Sequence, residues 1–184
     1  MRKIIAVEYL SLDGIMSDPM WTAPYFNGEL GELQDRWLFG SDTLLLGRVT
    51  YEGMSGAWMA RPDDDGFTAR INALPKHVVT RTLTDLTWNA TPLSGDIAGE
   101  VRALKGGEGT NILIYGSGVL VRSLLEHGLI DEFHLIVCPV VVGEGRRLFS
   151  GESRAALHLA EVQTTATGVV VLSYRPEQPT PTQG

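Results

Sequence analysis

The chain has 184 residues, 43% of them hydrophobic and 20% charged, with a formal net charge of −7. That composition excludes a disordered or fibrous chain, and the length suits one sizeable core better than two. The acidic balance argues against a nucleic-acid surface, which needs clustered Lys and Arg, and no apolar run reaches the ~20 residues that span a bilayer.

Residues 3–9 read as a first strand through Ile4, Ile5, Ala6 and Val7, turned by Ser11-Leu12-Asp13-Gly14. Residues 16–28, with Pro19, Pro24 and Gly28, read as a long irregular loop carrying Trp21, Tyr25 and Phe26. Loops of that length are often functional. Two readings stand for its aromatics: they close over a flat ring, or they pack beneath the loop. Leu30, Leu33, Trp37 and Leu38 recur at helical spacing, so residues 29–39 form an amphipathic helix stopped by Gly40. Glu29, Glu32 and Asp35 fall on its solvated side, and Glu32 can pair with Arg36 there.

Thr43 to Leu46 form a second buried strand, ending at the glycine corner Gly47-Arg48-Val49-Thr50-Tyr51-Glu52. After a solvated loop at Asp63–Asp65, a helix spans 67–74 and stops at Pro75. His77 to Thr80 form a third strand, followed by Arg81; residues 88–91 form a fourth, and 96–104 a helix.

Residues 111–149 organise the rest. Ile112 to Tyr115 is a strand buried on both faces, followed at once by Gly116-Ser117-Gly118. Val119, Leu120, Leu124 and Leu125 recur at helical spacing, and Gly128 sits where a helix ends. Residues 131–142 form a β-branched strand run that holds Cys138, and Gly143-Glu144-Gly145 turns it. Residues 157–165 and 169–174 form a terminal antiparallel hairpin. Residues 176–184, rich in proline and threonine, are expected to be a disordered tail beyond a single domain of residues 1–175.

This succession implies a mostly parallel sheet with helices on both faces, a three-layer α/β fold, and an antiparallel edge. A strand that stops on two glycines and starts a helix leaves backbone N–H groups pointing outward, with the helix dipole behind them. Gly116-Ser117-Gly118 is therefore either a phosphate site or merely a tight turn. Gly47-Arg48 and Thr80-Arg81 end two further strands with anion-binding groups. One elongated phosphate ligand accounts for all three, because ligands of such sheets bind beyond the carboxyl ends of the strands.

Cys138, the only cysteine, excludes an internal disulfide and a thiolate metal cluster, and is expected to be a buried thiol. His77, His127, His134 and His158 form no metal motif, so no metal is expected. The N-terminus lacks the long apolar core of a signal peptide, which points to the cytoplasm.

The residues Ser11-Leu12-Asp13-Gly14, Leu46 to Glu52, Val78-Val79-Thr80-Arg81, and Tyr115-Gly116-Ser117-Gly118 through Leu129-Ile130-Asp131-Glu132 to Phe149 follow one another in a family order. By them the chain resembles the dihydrofolate reductase-like family, and within it the reductase domain of bacterial riboflavin biosynthesis enzymes. The resemblance implies a mixed eight-stranded sheet and an NADPH site. Gly47 would allow close approach, and Arg48 and Thr50 would hold phosphates. Thr80 and Arg81 would lie near the adenosine 2′-phosphate, and Gly116, Ser117, Gly118, Val119 and Leu120 would carry the pyrophosphate. The substrate would be a small planar heterocycle of pterin or aminopyrimidine type, with Trp21, Tyr25 and Phe26 as its lid.

Folate reductases of the family carry an acidic residue on the first helix, but no motif singles out Glu29, Glu32 or Asp35. Asp13 is the best-placed alternative to orient a ligand or relay a proton, unless it is a turn residue bonding its own backbone. The deaminase half of the fused riboflavin enzymes needs zinc-ligating His and Cys, which this chain lacks. A non-catalytic module that keeps the nucleotide groove is the competing reading, and another phosphorylated ligand in that groove is a third. A homodimer is expected from the apolar terminal β region and the habit of related small reductases.

Overall fold

The structure, a computed structural model, describes residues 1–151 and 154–177. Its strands are β1 (Ile4–Leu10), β2 (Ser41–Gly47), β3 (Lys76–Val79), β4 (Ala90–Leu93), β5 (Asn111–Tyr115), β6 (Glu132–Val137), β7 (Leu157–Thr164) and β8 (Val170–Pro176). They form one sheet in the order β4-β3-β2-β5-β1-β6-β8-β7. The first six strands of that order are parallel, whereas β8 runs antiparallel to β6 and to β7. This is the mixed, mostly parallel eight-stranded α/β sheet that the sequence and its resemblance imply.

The helices are α1 (Gly28–Phe39), α2 (Arg48–Met59), α3 (Gly66–Ala73), α4 (Ile97–Gly106) and α5 (Gly118–Glu126). Strand alternation splits the core into two layers. Ile5, Val7, Leu44, Leu46 and Leu113 pack with Leu30, Leu33, Tyr51 and Ile71 of α1, α2 and α3. Ile4, Ala6, Leu45, Ile112 and Ile114 pack with Val101, Leu120, Val121 and Leu124 of α4 and α5. The central strands are apolar on both faces because both are covered, as a parallel sheet requires.

Two buried cations are fully satisfied. Lys76 Nζ donates to the carbonyls of Ile71 (2.5 Å), Asn72 (2.9 Å) and Leu74 (2.7 Å), closing the C-terminus of α3. Arg2 pairs with Asp42 and donates to Thr43 Oγ1 at 2.7 Å and to the Thr110 carbonyl at 3.1 Å.

Several expected boundaries shift. The loop at 16–28 contains a short 3-10 helix, Pro19–Tyr25. The fourth strand starts at Ala90, because Trp88 and Asn89 both take positive φ (59° and 52°) and cannot enter a ladder. The 131–142 run leaves the sheet after Val137. Cys138 N–H still reaches the Leu10 carbonyl at 2.8 Å, but Pro139 has no amide to continue the ladder. The last strand runs on to Pro176, and Glu177 N–H bonds the Ala156 carbonyl at 2.9 Å. The expected tail otherwise falls on 178–184, outside the described residues. Cys138 is buried, and burial pushes its thiol up to about 11.

Candidate functional site

The register brings the three expected strand ends together. Leu46 pairs with Val78 and Gly47 with Val79, while Leu44 pairs with Leu113 on the other side. The ends of β3, β2 and β5 are therefore neighbours on the carboxyl edge of the sheet. β5 also separates β2 from β1, so this edge is where the chain's strand order reverses.

Ser117 locks the corner. It takes φ 61°, ψ 36°, and its Oγ donates to the Tyr115 carbonyl at 3.0 Å while accepting from Gly47 N–H at 2.9 Å. Its own amide donates to Thr50 Oγ1 at 2.9 Å. No side chain caps α5, so its first-turn amides stand open. Gly116 takes φ 54°, and a Cβ there would lie 3.3 Å from Thr50 Oγ1. A Cβ on Gly118 would collide with the Met16 thioether, which lies over the helix entrance. At α5, the Val119 side chain is exposed and that of Leu120 is buried in the core, so Leu120 can offer a ligand only its amide.

The cations differ. Arg48 Nη1 pairs with Glu52 Oε2 at 2.9 Å, each side chain 45% exposed. Arg81 is exposed and forms no ion pair among the described residues. Thr80 is a correction. Its side chain is buried, and its Oγ1 accepts from Thr82 N–H (3.2 Å) and Leu83 N–H (3.1 Å), so it shapes the turn and does not face a ligand.

Beside this corner opens a cleft of about 800 Å³ between β1, β5, α1, α2, α3 and the 3-10 helix. That volume suits a drug-sized ligand. Met20, Phe26, Met54, Trp58 and Phe67 give it apolar walls. Tyr9, Gln34, Asp35 and Tyr115 supply polar groups, whereas the Glu8 side chain turns to the α5 side of the sheet with its strand partner Leu135. Gln34 Nε2 donates to Tyr9 Oη at 3.1 Å, and burial pushes Tyr9 up to about 12. Tyr115 Oη has no partner, and burial raises it further. Glu8 is wholly buried with both oxygens unpartnered, and desolvation raises its carboxyl well above the usual range.

The aromatic lid is corrected in two of its three members. Phe26 lines the cleft. Trp21 and Tyr25 are not among the lining residues; both are half-buried against the core layer on that side of the sheet, and Trp21 Nε1 donates to the Ser17 carbonyl at 3.1 Å. The 3-10 turn directs them inward. Asp13 is corrected as well. Its Oδ1 accepts from Ser11 Oγ (2.6 Å) and Val142 N–H (3.1 Å), and its Oδ2 from Gly143 N–H (2.8 Å). Those bonds lower its carboxyl to about 2. It ties the 11–14 turn to the 142–143 turn, away from the cleft.

Glu8, Tyr9, Met16, Gln34, Asp35 and Tyr115 were not singled out as site residues by the sequence reading. A signal existed for Glu8, a charge inside an otherwise apolar central strand. For Asp35 the resemblance offered only an acidic residue somewhere on the first helix, with nothing to choose it over Glu29 or Glu32; it lies on the polar side of α1 and yet borders the cleft.

Residues 2–171 match the family model of the RibD C-terminal domain. The uncharacterized Bacillus subtilis protein YyaP is 31% identical over 138 residues, covering 72% of this chain and 73% of that protein. Two solved structures share the fold. Acinetobacter baumannii RibD superposes with a TM-score of 0.68 at 16% identity, over 97% of this chain and 59% of that one. The Thermotoga maritima diaminohydroxyphosphoribosylaminopyrimidine deaminase/5-amino-6-(5-phosphoribosylamino)uracil reductase gives 0.67 at 14% identity, over 95% of this chain and 56% of that one. The chain thus spans less than two thirds of either protein. No helix among the described residues is long and apolar enough to cross a membrane. From the match along nearly its whole length, the chain belongs to the RibD C-terminal domain family.

Proposed function

We propose that this protein is an NADPH-dependent reductase acting on a small planar heterocycle of pterin or aminopyrimidine type. The observation that carries this reading is the junction of the cleft with the β2–β5–α5 corner, where Thr50 and Gly116 line both. When bound, NADPH supplies a hydride, and the protein supplies orientation and a dry pocket.

The open amides of Gly118, Val119 and Leu120 take the pyrophosphate at the positive end of α5. Thr50 Oγ1 accepts the Ser117 amide and keeps its own proton to donate to an anion. Arg48 and Arg81 add charge-assisted bonds to phosphate oxygens, Arg48 by leaving Glu52. Met54, Trp58 and Phe67 exclude water around a flat ring, and Phe26 covers its open side. Asp35, the carboxylate of α1 that borders the cleft, orients the substrate's N–H groups. The protein acts as a homodimer, paired through the outer strand β7, where Leu159 and Val162 stand about half exposed on an unpaired edge.

Turnover tests the reading. NADPH oxidation is followed with dihydrofolates, dihydropterins and ribitylaminopyrimidines, and binding is followed beside it by tryptophan fluorescence. Oxidation with one of these classes is expected. Tight NADPH binding with no oxidation across the panel would favour the non-catalytic module. Sedimentation showing only a 20 kDa species at micromolar concentration would remove the dimer.

A further inference from the structure

The cleft runs outward from the cofactor corner along one face of α2. Thr50, Met54 and Trp58 stand at i, i+4 and i+8, so they fall in line on that helix, and all three line the cleft. Thr50 belongs to the corner, since its Oγ1 accepts the Ser117 amide at 2.9 Å. Eight residues of helix carry the row about 12 Å away from it. Phe67 and Ile71 of α3, with Met20 and Phe26, complete the apolar walls. At the far end the rings of Trp58 and Phe67 pack together, 5.3 Å between centroids.

Charge in the cleft is set against anions. Arg61 is the only cation among its described lining residues, and Asp35 and Asp65 stand against it. The Arg61 guanidinium already lies over the Trp58 ring, 4.2 Å from the centroid. Asp65 caps α3, with Oδ1 on the Thr68 amide (2.7 Å) and Oδ2 on the Thr68 hydroxyl (2.7 Å). Those two bonds, with a smaller contribution from the Arg61 charge, hold its carboxyl below the usual range. Asp63 and Asp64 precede it in the same loop, and Asn72 Nδ2 holds Asp63 Oδ1 at 2.6 Å. A phosphate or carboxylate on a substrate would leave water for a net negative mouth and an aromatic wall. An apolar group gains from the same wall.

We propose that the substrate of this cleft is a flat heterocycle with an uncharged apolar substituent that reaches the Trp58 end, and that the cleft discriminates against phosphorylated and carboxylated forms. The inference rests on the reductase reading, which supplies the heterocycle, and goes beyond it by choosing the substituent. The ring lies at the inner end beside Thr50 and Gly116, where Asp35 meets its N–H groups. The substituent runs out along Met54, Trp58 and Phe67. Discrimination has two sources: burial favours the apolar substituent, and Asp65 with its acidic neighbours repels an anionic one.

Binding of matched probes, with and without NADP⁺, tests this. The probes are 2,4-diaminopyrimidine, its 5-benzyl and 5-(4-carboxybenzyl) derivatives, and 5-amino-6-ribitylaminouracil with and without its 5′-phosphate. The benzyl derivative is expected to bind about tenfold or more tightly than its parent. The carboxybenzyl derivative should bind about tenfold or more weakly than the benzyl one, and the phosphate more weakly than the free ribityl compound. The carboxyl penalty should shrink as salt rises, because charge repulsion is screened and a steric misfit is not. Asp65→Asn, which keeps an oxygen to cap α3, should recover part of the loss. Arg61→Ala should leave the order of the probes unchanged. If the anionic probes bind more tightly than their partners and Arg61→Ala removes that advantage, Arg61 is an anion-binding residue; the inference is then overturned while the reductase reading stands. A benzyl derivative no tighter than its parent, or a carboxyl penalty that salt does not move, overturns it as well. Wild-type protein that binds none of the probes overturns the reductase reading, and this inference with it.

Discussion

Gly47 N–H donates to Ser117 Oγ at 2.9 Å across 70 residues of chain, joining the ends of β2 and β5. The same hydroxyl donates to the Tyr115 carbonyl at 3.0 Å, so one side chain fixes the corner on which α5 begins. Ser117→Ala removes both bonds and leaves the Gly47 amide without its partner. We expect a loss of about 1–3 kcal/mol, read as a lower urea midpoint at unchanged slope. An unchanged midpoint would mean that water replaces the hydroxyl and that the staple is not structural.

Gly118→Val places a branched side chain where the Met16 thioether lies. Met16 is flexible and can give way, so the fold should survive with a modest drop in Tm. The displaced side chains then crowd the open amides of α5. NADPH affinity should fall by at least about tenfold. An intact variant with wild-type affinity would remove the α5 entrance as the pyrophosphate site.

Arg48→Ala breaks an exposed i, i+4 pair with Glu52. Such pairs contribute about 0.3–0.5 kcal/mol, so stability should hardly change. A charge-assisted bond to phosphate contributes roughly 1.5–3 kcal/mol, and NADPH binding should weaken by about one to two powers of ten. Titrating both nucleotides locates the bond. A loss for NADPH alone points to the 2′-phosphate, and a loss for NADH as well points to the pyrophosphate. Equal affinities in variant and wild type would remove Arg48 from the site.

Glu8 and Asp13 bias stability in opposite directions as pH changes. Glu8 has a folded pKa above its ordinary 4.5, so the unfolded chain gives up that proton first. Its contribution declines as pH rises above about 4.5. Asp13 has a folded pKa of about 2, below its ordinary 3.8, set first by the Ser11 hydrogen bond and then by the Val142 and Gly143 amides. Its contribution is present above 3.8 and is lost as pH falls toward 2. Urea melts across pH separate them. The advantage of Glu8→Gln over wild type should grow with pH above 4.5, and the deficit of Asp13→Asn should shrink toward pH 2. Curves that run parallel to wild type would contradict either assignment.

The strand ends were legible because each apolar run stops at a residue that changes the backbone: Gly47, Gly116, or the Thr80 turn. Their adjacency rests on the parallel pairing of β2 with β3 and β5, which helical crossovers allow. The directions of side chains on irregular backbone were not legible. Trp21 and Tyr25 rest half-buried against the core on a 3-10 helix at 19–25, whose sense no periodicity announces. Asp13 reads either as a proton relay or as a turn residue, and the partners that decide it, the amides of the 142–143 turn, lie far off in sequence. The 131–142 run looked continuous by composition, yet Pro139 carries the interruption in its missing amide. Glu8 was legible in principle, since a lone acid between Val7 and Tyr9 conflicts with a strand buried on both faces.

The central claim is that the β2–β5–α5 corner and the cleft form one NADPH site. A crystal structure with NADP⁺ bound tests it most directly. The pyrophosphate is expected on the amides of Gly118 to Leu120, with Arg48 or Arg81 on a phosphate and the nicotinamide ring in the cleft beside Tyr115. A nucleotide seated elsewhere, or a pyrophosphate that leaves the α5 amides and Met16 untouched, would contradict it.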